Sequence, residues 1–163
     1  LDSKIIFTNL LSNNRITKVL DRKKREENMF TKIRVLHLAV NNLQEAVRDY
    51  VERFGFKVLP TGGDRPDLGL RNAFLEFGDQ MIEIISPLNP GEGPIAKFLE
   101  NRGEGIYMMG WEVENISNVI KELQAKGVKL INAEPEARSK GALVFIHPKS
   151  SHGVMIELME KGK

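Results

Sequence analysis

The chain has no cysteine, which excludes disulfides, thiolate zinc sites and cysteine nucleophiles. It is poor in aromatics, at 7%, and no apolar run approaches the roughly 20 residues that a membrane-spanning helix needs. A surplus of one charge sign is missing as well. The 24 lysines and arginines face 22 acids, and the net +2 is spread along the chain, so the electrostatic footprint of a nucleic-acid binder is absent. The first residues lack the basic, apolar and small-residue order of a signal peptide. These absences imply a cytoplasmic protein with neither nucleic acid nor membrane as partner, in which any metal is held by His, Asp or Glu.

What is present is a repetition. The tetrapeptide MIEI at residues 81–84 returns as MIEL at 155–158. Each lies inside a strand-like run, QMIEIIS and GVMIELM, where a buried charge is costly unless something compensates it. With 163 residues and 41% hydrophobic content, the chain has material for one sizeable core.

The surroundings of the two tetrapeptides repeat too. Residues 1–28 read as an N-terminal extension rich in Lys, Arg and Asn. It is either non-native sequence upstream of a natural start at Met29, or an amphipathic helix through Leu10, Leu11, Val19 and Leu20. Residues 29–90 form a first module: the strand IRVLHLAV, then a helix with Asn at its start and Gly55 at its stop, then a loose loop and two strands joined at a Gly-Asp turn. Residues 91–104 read as a linker helix between glycine breaks. Residues 105–160 then repeat strand, helix and strands. The prediction is an α+β fold of two tandem βαβββ modules.

Side chains alternate across a strand. Leu36, Leu38, Val40, Ile82, Ile84, Val154, Ile156 and Leu158 share an aliphatic face suited to packing under the two module helices. His37, Glu83 and Glu157 share the other face with Val35, Ala39, Met81, Ile85, Met155 and Met159. A histidine and two carboxylates converging in a semi-apolar setting suit a borderline divalent metal. The same parity sends Trp111 and Tyr107 to the helix side, while His147 is expected to brace a turn and His152 to lie in a solvent-facing loop.

The segments HLAVNNLQEAVRDY, GPIAKFLENRGEGI and HPKSSHGVMIEL resemble the vicinal oxygen chelate (glyoxalase-like) superfamily, and within it the methylmalonyl-CoA epimerases, over roughly residues 33–160. The resemblance implies a pair of βαβββ modules forming one cupped mixed sheet with helices on its outer face, assembled as a homodimer. It also implies a divalent metal, Co, Mn, Ni or Zn, with His37, Glu83 and Glu157 as ligands. Where those epimerases read Gly-Ile-His-His, this chain has Gly105, Ile106, Tyr107 and Met108, so one ligand position falls on a soft thioether.

The implied chemistry is isomerisation, or a lyase-type reaction of the superfamily: proton abstraction and enolate stabilisation on an acyl-CoA carrying a 2-carboxylate. Glu157 and Glu76 are the candidate bases, and Asn72, Arg71 and Lys149 the candidate substrate-binding residues. The alternative is a metal-poor relative that binds a small carboxylate or acyl ligand without epimerase activity, and Met108 is the residue that separates the two.

Overall fold

Local chemistry sets each boundary. In the computed structural model, which describes residues 29–134 and 143–162, strand β1 (Phe30–Ala39) gives way to helix α1 (Leu43–Phe54). The Asn42 side chain accepts the Glu45 N–H there, and Gly55, at φ 73°, ends the helix by donating its N–H to the last-turn carbonyls. Only a residue without a side chain takes that left-handed conformation at no steric cost. The second half follows the same plan: β5 (Gly105–Val113) leads to α3 (Ile116–Ala125), and Asn115 accepts the Asn118 N–H at the helix start. Between them lie β2 (Val58–Arg65), β3 (Leu70–Phe77), β4 (Gln80–Pro87) and α2 (Gly93–Arg102), and the chain closes with β6 (Leu130–Ile131), β7 (Val144–Ile146) and β8 (Met155–Glu160). The extension expected at residues 1–28 lies outside the described residues.

Among the described residues the eight strands form one mixed sheet in the order β2-β3-β4-β1-β5-β8-β7-β6, with β2 and β6 at its edges, so it is a curved sheet and not a closed barrel. β1 runs parallel to β4, β5 runs parallel to β8, and the two halves meet where β1 and β5 pair antiparallel. One face carries the aliphatic parity. Leu75, Ile82 and Ile84 pack under α1 with Val47 and Tyr50, and Val144, Ile156 and Leu158 pack under α3 with Val119 and Leu123. Trp111 joins that second cluster, its ring 5.0 Å edge-on from Phe30. Helix α2 lies on the opposite face: Ile95, Phe98 and Leu99 cover Ala39 and Ile85 and close one end of the concave side.

Two details depart from strict alternation. The β1–β5 ladder slips between His37 and Leu38, pairing them with Met108 and Ile106 and leaving Tyr107 unpaired. Such a bulge re-aims the chain locally. Tyr107 therefore lines the concave side with Met108 and packs edge-on against Phe98 of α2, 5.2 Å between centroids, instead of facing α1 and α3 as parity predicts. The stretch expected as a loose loop is also ordered: its first part is β2, joined to β3 by a tight turn in which Leu68 N–H donates to the Arg65 carbonyl at 3.0 Å.

The two halves are also offset. Met81 stands beside Val35 and Met155 beside Met108, so the partner of Glu157 on β5 is Gly110, whereas that of Glu83 on β1 is His37. A Cβ at Gly110 would lie 2.4 Å from Val35 Cγ1 and 2.7 Å from Met159 Sδ. Met159 has room to flex, but Val35 is fully buried and stiff at χ1. A G110A variant should therefore lose about 1–3 kcal/mol of stability through overpacking, read as a lower midpoint in denaturant with unchanged slope; an unchanged midpoint would show that Val35 is free to turn away.

Candidate functional site

Register brings the polar residues together. His37 pairs directly with Glu83 on one side and with Met108 on the other, and Met108 pairs in turn with Met155. Glu157 reaches in from β8, beyond the side-chain-free Gly110. His37 is 3% exposed, Glu157 6% and Glu83 9%. Glu83 Oε2 stands 2.5 Å from His37 Nδ1, and Glu157 Oε2 stands 3.6 Å from Nε2. Despite this proximity neither ring nitrogen makes an aligned hydrogen bond. Both carboxylates crowd the imidazole, and its nitrogens remain available as donors or ligands.

Asn72 on β3 fixes this arrangement from below. Its Nδ2 donates to Glu83 Oε1 at 2.6 Å, and its Oδ1 accepts the Gly63 N–H at 3.1 Å. Asn72 faces the cup, as its expected substrate-binding place requires, but both ends of its amide are engaged, and what it does here is hold Glu83. A buried charge needs such partners. Among the described residues Glu157 has none of this kind: burial pushes its carboxyl above the ordinary range, the His37 ring offsets part of the rise, and the charge of Glu83 adds to it. Of the two carboxyls beside His37 it is the one whose proton affinity burial raises.

These groups sit on the floor of a cavity of about 730 Å³, otherwise lined largely by apolar side chains such as Phe74, Met81, Met108, Phe145, Met155 and Met159. Leu68 and Leu143 stand at its lining while remaining substantially exposed. The donor set fits the implied metal chemically: one imidazole and two carboxylates, all buried, with neither ring nitrogen in an aligned hydrogen bond. Among the described residues, however, no three such side chains form a ready-made cage, and Met108 occupies the place directly across from His37.

The remaining expectations fall elsewhere. Glu76 lies at the half-exposed outer end of β3, 3.8 Å from Lys57, and does not line the cup. Arg71 points to the other face from Asn72; it donates to the Leu88 carbonyl at 3.2 Å and borders a separate hollow beside the start of α1. Lys149 is exposed in the single helical turn Pro148–Ser150, whose start His147 caps by accepting the Lys149 N–H at 3.0 Å. His152, at φ 53°, is exposed in the turn that follows. None of these three reaches the cup.

Arg65 and Asp67, which sequence reasoning passed over, do line it. The Arg65-Pro66-Asp67 run inside RPDLG was a usable signal. Proline and glycine mark a tight turn, and in a hairpin closing there Arg65 falls on the same face as Asn72.

Residues 36–146 match the Glyoxalase/Bleomycin resistance protein/Dioxygenase superfamily, and the chain belongs to that superfamily. Relatives within it include methylmalonyl-CoA epimerases: the mitochondrial enzyme of Dictyostelium discoideum is 33% identical over 132 residues, spanning 80% of this chain and 78% of that one. Two solved structures superpose well. A hypothetical protein of Bacillus halodurans is 38% identical with a TM-score of 0.72, covering 81% of this chain and 95% of its own. A variant of the Streptomyces coelicolor methylmalonyl-CoA epimerase in complex with 2-nitronate-propionyl-CoA is 26% identical with a TM-score of 0.70, covering 82% and 99%. Among the described residues no helix is long and apolar enough to cross a membrane.

Proposed function

We propose that this protein epimerises an acyl-CoA of the methylmalonyl-CoA kind by exchanging the proton on the carbon between thioester and carboxylate. The observation that carries the reading is Glu157: a buried carboxyl with a raised proton affinity, beside His37 and Glu83, on the floor of an apolar cavity open to solvent. Glu157 takes the α-proton as the C–H bond breaks, and the electron pair moves into the thioester as an enolate. Delivery of a solvent proton to the other face of the planar enolate, through the open mouth, inverts the centre. The Met- and Phe-lined walls exclude most water and seat the acyl chain, while Asn72 keeps Glu83 fixed.

His37, Glu83 and Glu157 would hold a divalent metal. Bound there, the ion would supply Lewis-acid stabilisation of the negative charge that develops on the substrate. Exposed apolar side chains on and beside α1, Phe54, Val58 and Phe77, support a homodimer, and the residue composition supports a cytoplasmic setting.

The test is incubation of the protein with methylmalonyl-CoA in D2O, with and without added Co²⁺. Deuterium appearing at the α-carbon together with interconversion of the two epimers is the expected result. Binding without exchange in either condition would favour the second reading, a cup that only holds a carboxylate or acyl ligand. Met108, standing where the family resemblance expects an imidazole, is the feature that favours that alternative.

A further inference from the structure

The hollow beside the start of α1 carries polar groups that neither the fold nor the cup uses. It lies across the sheet from the cup: Leu70 and Ile85 line the cup, while Arg71 and Ser86, the next residues along β3 and β4, line the hollow. Its volume of about 890 Å³ is within the range of small-molecule sites. Arg71 and Ser86 are direct cross-strand partners, and Leu43 and Gln44 of the first turn of α1 share the lining with them.

We propose that this hollow binds the phosphate group of a phosphorylated organic molecule, at a site separate from the cup and independent of the epimerase reading. Three observations support it. Ser86 is 3% exposed, yet its hydroxyl has no hydrogen-bond partner among the described residues. A buried hydroxyl left in that state is costly, and on the wall of the hollow it is placed to donate to a ligand. Arg71 Nε is likewise buried without an aligned hydrogen bond. Asp64 Oδ1 stands 3.6 Å from it, and the guanidinium donates through Nη2 to the Leu88 carbonyl at 3.2 Å. Finally, the Asn42 cap takes the Glu45 N–H on its side chain and the Ala46 N–H on its carbonyl. The Leu43 and Gln44 N–H groups are left over at the start of a twelve-residue helix, an arrangement that favours an anion.

The donor set selects the ligand. A guanidinium, a hydroxyl and two backbone N–H groups all have hydrogens to give, and the oxygens of a phosphate accept from several directions at once. Two acids border the site. Asp64 is 62% exposed and Glu100 lies exposed on α2, so water and salt screen both; they moderate the affinity without filling the buried end. A lone phosphate ion occupies a small part of the hollow, and Leu43, Leu88 and Leu99 on its walls give cover to an organic body attached to it. An acyl-CoA, whose tail carries a phosphorylated nucleoside, is one source of such a group; a separate phosphorylated metabolite is the other.

The experiment is calorimetric titration of the full chain with adenosine 3′,5′-bisphosphate, the nucleotide end of CoA, and with adenosine, which lacks the phosphates. The bisphosphate should bind and adenosine should not. R71Q should weaken the bisphosphate about 10–100-fold, as loss of a hydrogen bond to a charged group does. S86A should weaken it too while leaving the melting midpoint unchanged, because the Ser86 hydroxyl has no partner in the fold to lose; a merely structural serine gives the opposite pattern. Propionyl-CoA weakened by R71Q to the same degree would identify the CoA tail as the source, whereas propionyl-CoA binding that R71Q leaves unchanged, or none at all, would point to a separate phosphorylated ligand; either supports the site. Absence of bisphosphate binding, equal binding of adenosine, or binding indifferent to either substitution would overturn it. Exchange of the α-proton in D2O reports on the cup alone, so its failure would sink the epimerase reading and leave the result at the hollow standing.

Discussion

Replacing Glu157 by glutamine should abolish most α-proton exchange and at the same time strengthen the fold. The first effect follows from its proposed place as the base: a positioned general base contributes about 10²–10⁴-fold, and glutamine keeps the shape but accepts no proton. The second follows from burial. In the folded, metal-free protein the Glu157 carboxyl is held above its ordinary range chiefly by desolvation, so the fold binds that proton more tightly than the unfolded chain does. Stability from the protonated form is complete below the ordinary carboxylate range and is lost as pH rises through the raised folded value. E157Q has no charge to bury and escapes that loss. Thermal melts from acid to neutral pH should show the variant gaining on wild type across this window, while D2O exchange at saturating Co²⁺ falls. Retained exchange would remove Glu157 as the base, and parallel melting curves would show that its charge is compensated by something other than the groups around it.

The second large effect is expected at Met108. An M108H variant should bind Co²⁺ more tightly by more than the 10–100-fold that outer-sphere partners alone contribute to metal sites. Met108 is the direct cross-strand neighbour of His37 on the concave face, and an imidazole there adds a borderline ligand where a thioether is a poor one. Visible absorption of Co²⁺ during titration reads both affinity and ligand number. An unchanged isotherm, with the far-ultraviolet spectrum intact, would show that position 108 does not reach the ion.

Much of this was legible before any coordinates. The repeated MIE strands and the Asn-capped, glycine-stopped helices announced the fold, because period-two and helical patterns are local properties of the chain. Parity placed His37, Glu83 and Glu157 on one face for the same reason. What failed was whatever depends on pairing between distant strands. Strict alternation sent Tyr107 toward α1 and α3, but the bulge opposite His37 turns it into the cup, and a bulge is decided by two strands jointly. Arg71 and Lys149 were singled out for their charge alone; one lies on the wrong side of β3 and the other on an exposed turn. Arg65 was missed because β2 is an edge strand with two glycines and little apolar content, and its pairing with β3 leaves almost no trace in a single sequence. The offset between the halves, which makes Gly110 and not Met108 the register counterpart of His37, is likewise invisible until β4 and β8 are laid beside their partners.

The site straddles the antiparallel seam. His37, Glu83 and Asn72 belong to one half of the sheet, Met108 and Glu157 to the other, and the ladder between β1 and β5 joins them. A slide of that ladder by one residue would turn a whole set of side chains to the other face, and the slip at Tyr107 is a place where the ladder already yields. The seam thus works like a vernier. Small insertions or bulges along one strand pair change which donors meet above it without disturbing either module's core, and a duplicated scaffold of this kind can exchange one chemistry for another by adjusting a single line of hydrogen bonds.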